Sequence, residues 1–480
     1  MEQNMDLLAA AASAYSSAAY LRKRRHRFKQ FTYGAQWGDS VRDHDGRWVT
    51  EGEMAARNGR VPMTNNMIRR LVKNIVGRFR SDPPVRGGVP DDISAANRLD
   101  ELDSRMLEEF LISGCAIQRI CCERRTAGSG VWVDNVDPRR FFVDRMSDPR
   151  ASDVEMVGMI RDMSLSELLM RYSGGCGTRA GEIRSLYASE AVPLGSAGTD
   201  AIGTEGGAGF DFLRGEPGRC RVIEVWTLDS VERYLCHDPL DATVYAVSPS
   251  QVAVLKRKNK GRRHRGQPEI SMKWEIKVGW KCRVLAPTGH ILYEQDSTLP
   301  GGTHPFVMKF YPLTDGEVHS FVEDVIDQQK YVNRLITLID NIMSSSAKGV
   351  LLFPEDQLGT GLQWNDVAQM WSAYDSIIPY RPRIGAPPPQ QIVSHGADAG
   401  ASELLRLEMK LFEDVSGVAG VLQGRTESGS TSAQLYEAQV RAASAAIYDL
   451  LASFADFRAT RDRLLIALAP HAGRTPGDDV

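Results

Sequence analysis

The feature that most restricts this chain's fold begins at Gly316, where mixed strand and loop signals give way to helices interrupted and resumed in a fixed order. Across 317–346, Val318, Phe321, Val322, Val325, Ile326, Val332, Leu335, Ile336, Ile339, Ile342 and Met343 recur on one helical stripe. Glu323, Asp324, Asp327 and Lys330 fall on other faces. At 1.5 Å per residue such a helix is roughly 45 Å long. Residues 348–398 are extended and Pro-rich around a short helical piece carrying Trp364 and Trp371. Proline neither continues a helix nor donates to a central strand, so a compact β-containing knob is expected there. A shorter helix is expected over 401–415, with Leu404, Leu405, Leu411 and Phe412 apolar. The Gly-rich stretch SGVAGVLQGRTESGSTS (416–432) then reads as a mobile loop between helices. Ser430, Thr431 or Ser432 can cap a last long helix reaching about Ala469. A helix standing away from a globular body must bury its apolar stripe, either within one subunit or against neighbouring copies.

The residues before 316 carry α+β signals. Met5 to Tyr20 reads as an amphipathic helix followed by a basic tail, Arg22, Lys23, Arg24, Arg25, Arg27 and Lys29. Positive charge after the apolar stretch is the reverse of a secretory signal. In PMTNNMIRRLVKNIVGRFRSDPP, Thr64 is the expected N-cap, with Met67, Ile68, Leu71, Val72, Ile75 and Val76 at helical spacing. One helix is expected over 91–113, a strand over 115–122, and two short strands around a turn over 131–144. Residues 173–219 are crowded with Gly, Ser and Ala and read as a long loop, with 183–215 as a flexible insertion. Strand signals return at 221–236, 272–286 and 289–296. The basic run KRKNKGRRHR (256–265) between them is expected to be an exposed loop.

Composition narrows the function classes. The chain has 480 residues, 42% hydrophobic and 25% charged, enough for several buried cores. No apolar run of about 18 residues occurs, so no membrane partner is implied. Seven cysteines without a C-x-x-C pair fit neither a disulfide framework nor a zinc ribbon, and reduced thiols are expected. The net charge of -3 hides a segregation: without the basic residues of 22–29 and 256–265, 45 of the 58 basic residues face 61 acids, a balance of -16. Local cations on an acidic body suit point contacts with phosphate, or are simply solvated. Enzyme signatures fail: no Gly-Lys dipeptide for a Walker A loop, no His-Glu for a metal helix, no G-x-S-x-G elbow. No catalytic residue, metal or cofactor is assigned. His319 reads as a packing or surface residue, and Glu323 with Asp327 as a solvated i,i+4 pair.

Four stretches together resemble the portal proteins of tailed bacteriophages: YGAQW leading to PMTNNMIRRLVKNIVGRFRSDPP, DPRRFFVD (137–144), the run from PFVMKFYPLTDG through GVLLFPE, and FEDVSGVAGVLQGRTESGSTSAQLYEAQV. The resemblance implies an α+β portal fold in the order wing (1–316), first stem helix (317–346), clip (348–398), second stem helix (401–415), tunnel loop (416–432) and a C-terminal wing or crown helix (433–480). It implies a non-enzymatic, dodecameric ring at the unique capsid vertex of the virion, assembled in the host cytoplasm, through which double-stranded DNA is packaged and ejected. Terminase, major capsid and scaffold proteins, and head-completion, adaptor and tail proteins are the implied partners. Tunnel-loop candidates are Gly417, Gly420, Gln423, Gly424, Arg425 and Ser428, with Arg425 as a channel contact or an ordinary surface arginine. In the clip, Arg381 and Arg383 can meet DNA or a partner, and Trp364 and Trp371 are partner anchors or core. Among the basic patches the candidates are Arg22, Lys23, Arg24, Arg25, Lys256, Arg257, Lys258, Arg262 and Arg263. A nucleic-acid-binding enzyme or scaffold using those patches is the reading from another class; an adaptor of the phage head fits the length and element order less well.

Overall fold

Residues 220–238, buried on both faces at their start, and 271–285, which alternate apolar and polar, form two long antiparallel strands around which one of two structural units is built. The computed structural model describes residues 4–81, 87–125, 128–145, 147–188, 210–346, 350–372, 377–392, 398–417 and 433–471. One unit comprises residues 1–27, 76–320 and 450–480, the other 28–75 and 321–449. The division falls between Ser320 and Phe321, and residues 28–75 group with the later part of the chain.

In the first unit the strands Ile291–Asp296, Ser271–Leu285, Cys220–Asp238, Met156–Met163 and Phe141–Val143 form an antiparallel sheet in that order, and Thr243–Val247 pairs with the far end of Cys220–Asp238. The helix Met5–Ser17 covers one face, setting Leu8, Ala11, Ala14 and Tyr15 against Phe142, Ile160, Ile223, Val225 and Leu285. The other face packs Val157, Val222, Trp226 and Val284 with Ile117, Leu168, Ile183 and Phe306. A second sheet pairs Phe306–Phe310, Cys115–Arg125 and Gly128–Asn135. Glu224, buried between the sheets, receives Arg119 Nε at 3.2 Å and Trp226 Nε1 at 2.9 Å.

The expected helix over 91–113 is two helices, Asp91–Asn97 and Leu99–Ser113, broken at Arg98 with φ +49°. The break frees the buried Asn97 side chain to accept from Val133 N–H and donate to Val131 C=O, fastening a strand that a continuous helix would miss. The strands within 131–144 exist but do not form a hairpin: Gly128–Asn135 and Phe141–Val143 enter different sheets. Gly114 ends the second helix at φ +71°, and a Cβ there would lie 2.7 Å from the carbonyls of His319 and Tyr311. The expected loop over 173–219 holds the helix Gly177–Ala188, which sets Ile183 into the core, and residues 189–209 of the expected insertion lie outside the described residues.

The last helix, Ala433–Leu468, places Phe454 and Phe457 in the core of this unit, Phe454 edge-on to Phe79 and tilted against Phe110. Beside them lies a wholly buried ion cluster. Asp103 receives Arg458 Nε at 2.9 Å and Arg461, which is 0% exposed and also bonds Asp462 at 2.7 Å. Desolvation works against the Arg461 charge, and Asp103 and Asp462 outweigh it, holding its pKa above the ordinary value.

In the second unit the hairpin Ser40–Arg42 with Trp48–Thr50 leads into the helix Glu51–Arg57, closed by a reciprocal Thr50–Glu53 capping box. The expected stem helix over 317–346 begins later: Glu317–Val318 is a short strand paired with Leu313–Thr314, Glu323–Val325 is a 3-10 turn, and the α-helix is Ile326–Ser346. It packs on the helix Asp398–Ser416, the counterpart of the one expected over 401–415. Between them in sequence, Val350–Leu352 pairs with Gln390–Ile392 around the helix Trp364–Ser372, the expected β-containing knob. Thr64 is not the N-cap of the helix Met67–Ser81; its hydroxyl accepts from Trp37 Nε1, and Asn66 Oδ1 takes the Arg69 amide at 2.9 Å.

Removing one partner of a buried ion cluster leaves an uncompensated charge, typically about 3–5 kcal/mol. Asp103→Ala is therefore expected to lower unfolding free energy by about that amount, read by urea titration, while Asp103→Leu with Arg458→Met and Arg461→Met stays much closer to wild type. A second expectation concerns His304, whose Nδ1 accepts the Phe306 amide and whose ring stands edge-on to Trp280 at 4.7 Å. Burial pulls its pKa down to about 4, so the folded state binds fewer protons than the unfolded one below the ordinary histidine range. Stability is fully present above about pH 6.5 and falls as pH drops toward 4. His304→Asn, which keeps an acceptor, is expected to flatten that slope in thermal melts across pH 4 to 7.

Candidate functional site

The helix Ile326–Ser346 organises the segments in which the sequence concentrates its distinctive residues. Its apolar stripe buries Ile326, Val332 and Leu335. Gln329, Asn333 and Thr337 are also buried, one turn apart on one line. That line binds the backbone of residues 63–66, outside helix and sheet, and the first amides of the helix Met67–Ser81. Gln329 Oε1 accepts from Met67 N–H at 2.9 Å and Ile68 N–H at 3.2 Å, and its Nε2 donates to Asn65 C=O at 2.7 Å. Asn333 Oδ1 takes the Asn65 amide at 3.0 Å and Thr337 Oγ1 the Met63 amide at 3.0 Å. Asn333 also donates to Gln36 Oε1 at 2.7 Å, and Gln36 to Phe31 C=O at 2.7 Å. Thus YGAQW, PMTNNMIRR and DQQKYVNRLITLIDN meet in one network. The sequence signal was present as polar residues spaced by four inside an apolar stripe, and it is easily read as helix surface.

An ion cluster flanks the ladder. Lys330 Nζ lies 2.7 Å from Asp39 and 2.5 Å from Glu51, and Arg334 reaches Glu51 at 3.1 Å. Lys330, expected on an outer face, is therefore a bridge to the N-terminal hairpin and its helix. A groove of about 450 Å³ lined by Trp37, Met54, Tyr331, Arg334, Leu335 and Leu338 opens beside it.

The knob accounts for its candidate residues locally. Trp364 is 45% exposed and packs edge-on to Phe353 at 5.9 Å, and Trp371 is half-buried. Arg381 donates its backbone amide to the buried Gln357 carbonyl at 2.9 Å and its guanidinium to Thr360, while Arg383 pairs with Asp356. Gly417 ends the helix Asp398–Ser416 at φ +63°, a left-handed position favouring glycine. Gly420, Gln423, Gly424, Arg425 and Ser428 lie outside the described residues.

Neither basic patch has the expected form. Residues 22–29 lie in the helix Ala19–Tyr33 rather than a tail. Arg25 is buried, 2.5 Å from Glu109 and 3.2 Å from Asp137. Arg22 stacks 3.6 Å over the Tyr15 ring, Arg24 donates to Val318 C=O at 3.1 Å, and Lys23 stays exposed. Residues 256–264 belong to the helix Val252–His264, not to a loop. Val252, Leu255, Asn259 and Arg262 share its buried face at spacings of three and four, a period overlooked beneath the charges. Arg262 forks onto Asp238 at 2.6 and 2.7 Å, and Arg263 onto Glu269 at 2.7 and 3.0 Å. Lys258 stands 3.8 Å from Asp238, whereas Lys256 and Arg257 point into solvent with no ion-pair partner among the described residues.

Cys121, Glu123 and Asp134 lie close enough to suggest a metal site, but guanidinium groups already serve them. Arg119 contacts Cys121 Sγ at 2.9 Å, Arg171 reaches Glu123 at 2.6 Å and Arg125 reaches Asp134 at 2.9 Å. Burial pushes the Cys121 thiol up to about 11, disfavouring a thiolate ligand. Burial alone would raise the Glu123 carboxyl, and Arg119, Arg171 and Arg125 outweigh it, bringing it down to about 2. The cluster is an ion-pair network. Among the described residues no helix is long and apolar enough to cross a membrane.

Gln329→Met keeps the side chain's bulk but leaves the buried Ile68 amide without its partner, at about 1–3 kcal/mol, and strips one bond each from the Met67 amide and the Asn65 carbonyl, which still bond each other at 2.9 Å. A marked fall in the urea midpoint is expected, with Gln329→Glu, which keeps the acceptor, lying between it and wild type.

No curated protein matches the chain. The family described as Phage P22-like portal protein matches residues 10–475, taking in the clasped N-terminal segments, the paired helices, the knob and the whole of the last helix. The chain belongs to the Phage P22-like portal protein family.

Proposed function

We propose that copies of this chain close into a ring at the unique vertex of a phage capsid, and that double-stranded DNA passes through the axial hole during packaging and ejection. The family match over residues 10–475 carries this reading. Portal proteins are structural parts of the phage head rather than enzymes. In this reading Ile326–Ser346 and Asp398–Ser416 are the stem, residues 350–392 the clip, 416–432 the tunnel loop, and the last helix part of wing and crown. Twelve copies, with terminase and head-completion proteins docking at the clip and capsid and scaffold proteins around the wing, complete the proposal.

Two physical features support it. On Asp398–Ser416, Phe412 is buried whereas Leu404, Leu407, Leu411 and Val415 are exposed at helical spacing, an apolar stripe that neighbouring stems would cover. The same helix carries Asp398, Glu403, Glu408, Glu413 and Asp414 against Arg406 and Lys410 only. Each phosphate neutralised by a cation adds salt-dependent affinity, so an acidic wall with isolated cations lets a polyanion slide instead of holding it. Gln423, Arg425 and Ser428 on a Gly-rich backbone would follow DNA without reading bases.

Electron microscopy of the purified protein is the direct test: rings with an axial hole are expected, and a uniform population of monomers overturns the proposal. Replacing Gly417, Gly420 and Gly424 with Ala is expected to impair DNA packaging while rings still assemble, because alanine in the left-handed region at Gly417 costs roughly 1–2 kcal/mol. Normal packaging by that variant would remove the gating role of the loop.

A further inference from the structure

The segment MKWEIKVGW (272–280) alternates without a break: Met272, Trp274, Ile276, Val278 and Trp280 on one face, Lys273, Glu275, Lys277 and Gly279 on the other. Such alternation marks a strand with one face buried. The face is buried only at its ends. At the far end Met272 packs with Tyr234 and Cys236 under the helix Val252–His264, and at the near end Trp280 joins the main core. Between them Trp274, Ile276 and Val278 are 49%, 51% and 57% exposed, and Leu228, opposite Trp280, is 38% exposed.

The backbone there is equally uncovered. Among the described residues, 229–233 and 275–279 pair only with each other: Met156–Met163 pairs with Cys220–Asp238 up to Thr227, the Leu228 amide still donates to Glu155 C=O, Thr243–Val247 takes over at Tyr234, Ile291–Asp296 reaches Ser271–Leu285 only at Lys281, and Ser297 N–H holds the Trp280 carbonyl. A two-stranded ribbon with both edges open and an apolar row on one strand, Trp274, Ile276 and Val278 facing out beside Leu228, Ser230 and Glu232, is marginal in water and a template for association. The opposite face is solvated, with Arg233 bridged to Glu275 at 2.5 Å between Lys273 and Lys277.

We propose that this ribbon face is an intersubunit contact, covered by a second copy of the chain in the ring; the inference rests on the ring reading above. Charge selects a second copy as the occupant. Exposed Lys256, Arg257, Lys260 and Arg265 crowd the helix that caps the ribbon. Residues 256–265 hold seven of the 58 basic residues, so the rest of the molecule has 51 against 61 acids, or -10. A closed ring joins one patch of each subunit to a different patch of the next. A cationic, apolar arm meeting the acidic body of its neighbour satisfies both the open face and the charge segregation.

The test compares wild type with Trp274→Ser, Ile276→Ser, Val278→Ser combined, and with Lys256→Glu, Arg257→Glu, Lys260→Glu combined. Because these side chains are exposed within one chain, circular dichroism and the monomer's melting temperature are expected to stay close to wild type. The ring fraction by mass photometry is expected to drop at least tenfold for the first variant, and to fall for the second. In wild-type rings, a benzophenone side chain in place of Ile276 is expected to cross-link to a second copy, with the adduct mapping to an acidic segment. Rings formed equally by wild type and the serine variant overturn this proposal alone, as does a cross-link confined within one chain. Should the serine variant misfold, the cross-link decides. Wild-type protein that stays monomeric overturns the ring reading and this proposal with it.

Discussion

Residues 63–66 lie outside helix and sheet, and the amide and hydroxyl ladder of Gln329, Asn333 and Thr337 takes up the Met63 and Asn65 amides, the Asn65 carbonyl and the first amides of the helix Met67–Ser81. The second unit depends on that arrangement. The ladder holds the start of Met67–Ser81, engages Gln36 beyond the N-terminal hairpin, and sits one position from Lys330, the bridge to Asp39 and Glu51. An apolar helix face alone would bury as much area but would leave those amides unpaired and the register of 63–68 undefined.

Charge follows the same economy elsewhere. Arg25, Arg262, Arg458 and Arg461 are buried and paired with carboxylates, two of them from within the basic runs of the sequence. This leaves fewer free cations than the composition suggests; the exposed ones include Lys256, Arg257, Lys258 and Lys260 on the helix Val252–His264 and Arg70, Lys73, Arg78 and Arg80 on the helix Met67–Ser81. For a proposed DNA conduit the consequence is favourable: cations committed to internal carboxylates are not available to grip phosphate.

The succession of helix, knob, helix, glycine-rich segment and helix was legible because apolar periodicity and the Gly and Pro signals are local properties. The errors were also local. Glu317 and Val318 continue the apolar pattern but pair with Leu313–Thr314, since tertiary pairing overrides periodicity at an element's end. The run 256–265 reads as a loop in sequence because charge masks the spacing of Val252, Leu255, Asn259 and Arg262. Thr64 has cap chemistry, yet Trp37 claims its hydroxyl.

The sequence by itself determined the helical and strand periods, the missing catalytic signatures and the ordered stretches that identify the family, because each depends on residue type and spacing along the chain. Only the tertiary structure decided that residues 28–75 belong with 321–449, that Arg98 breaks a helix so Asn97 can fasten a strand, and that an alternating strand leaves its apolar face bare at Trp274, Ile276 and Val278. Those outcomes depend on which distant groups compete for the same hydrogen bond, carboxylate or buried surface, and that competition exists only once the chain has folded.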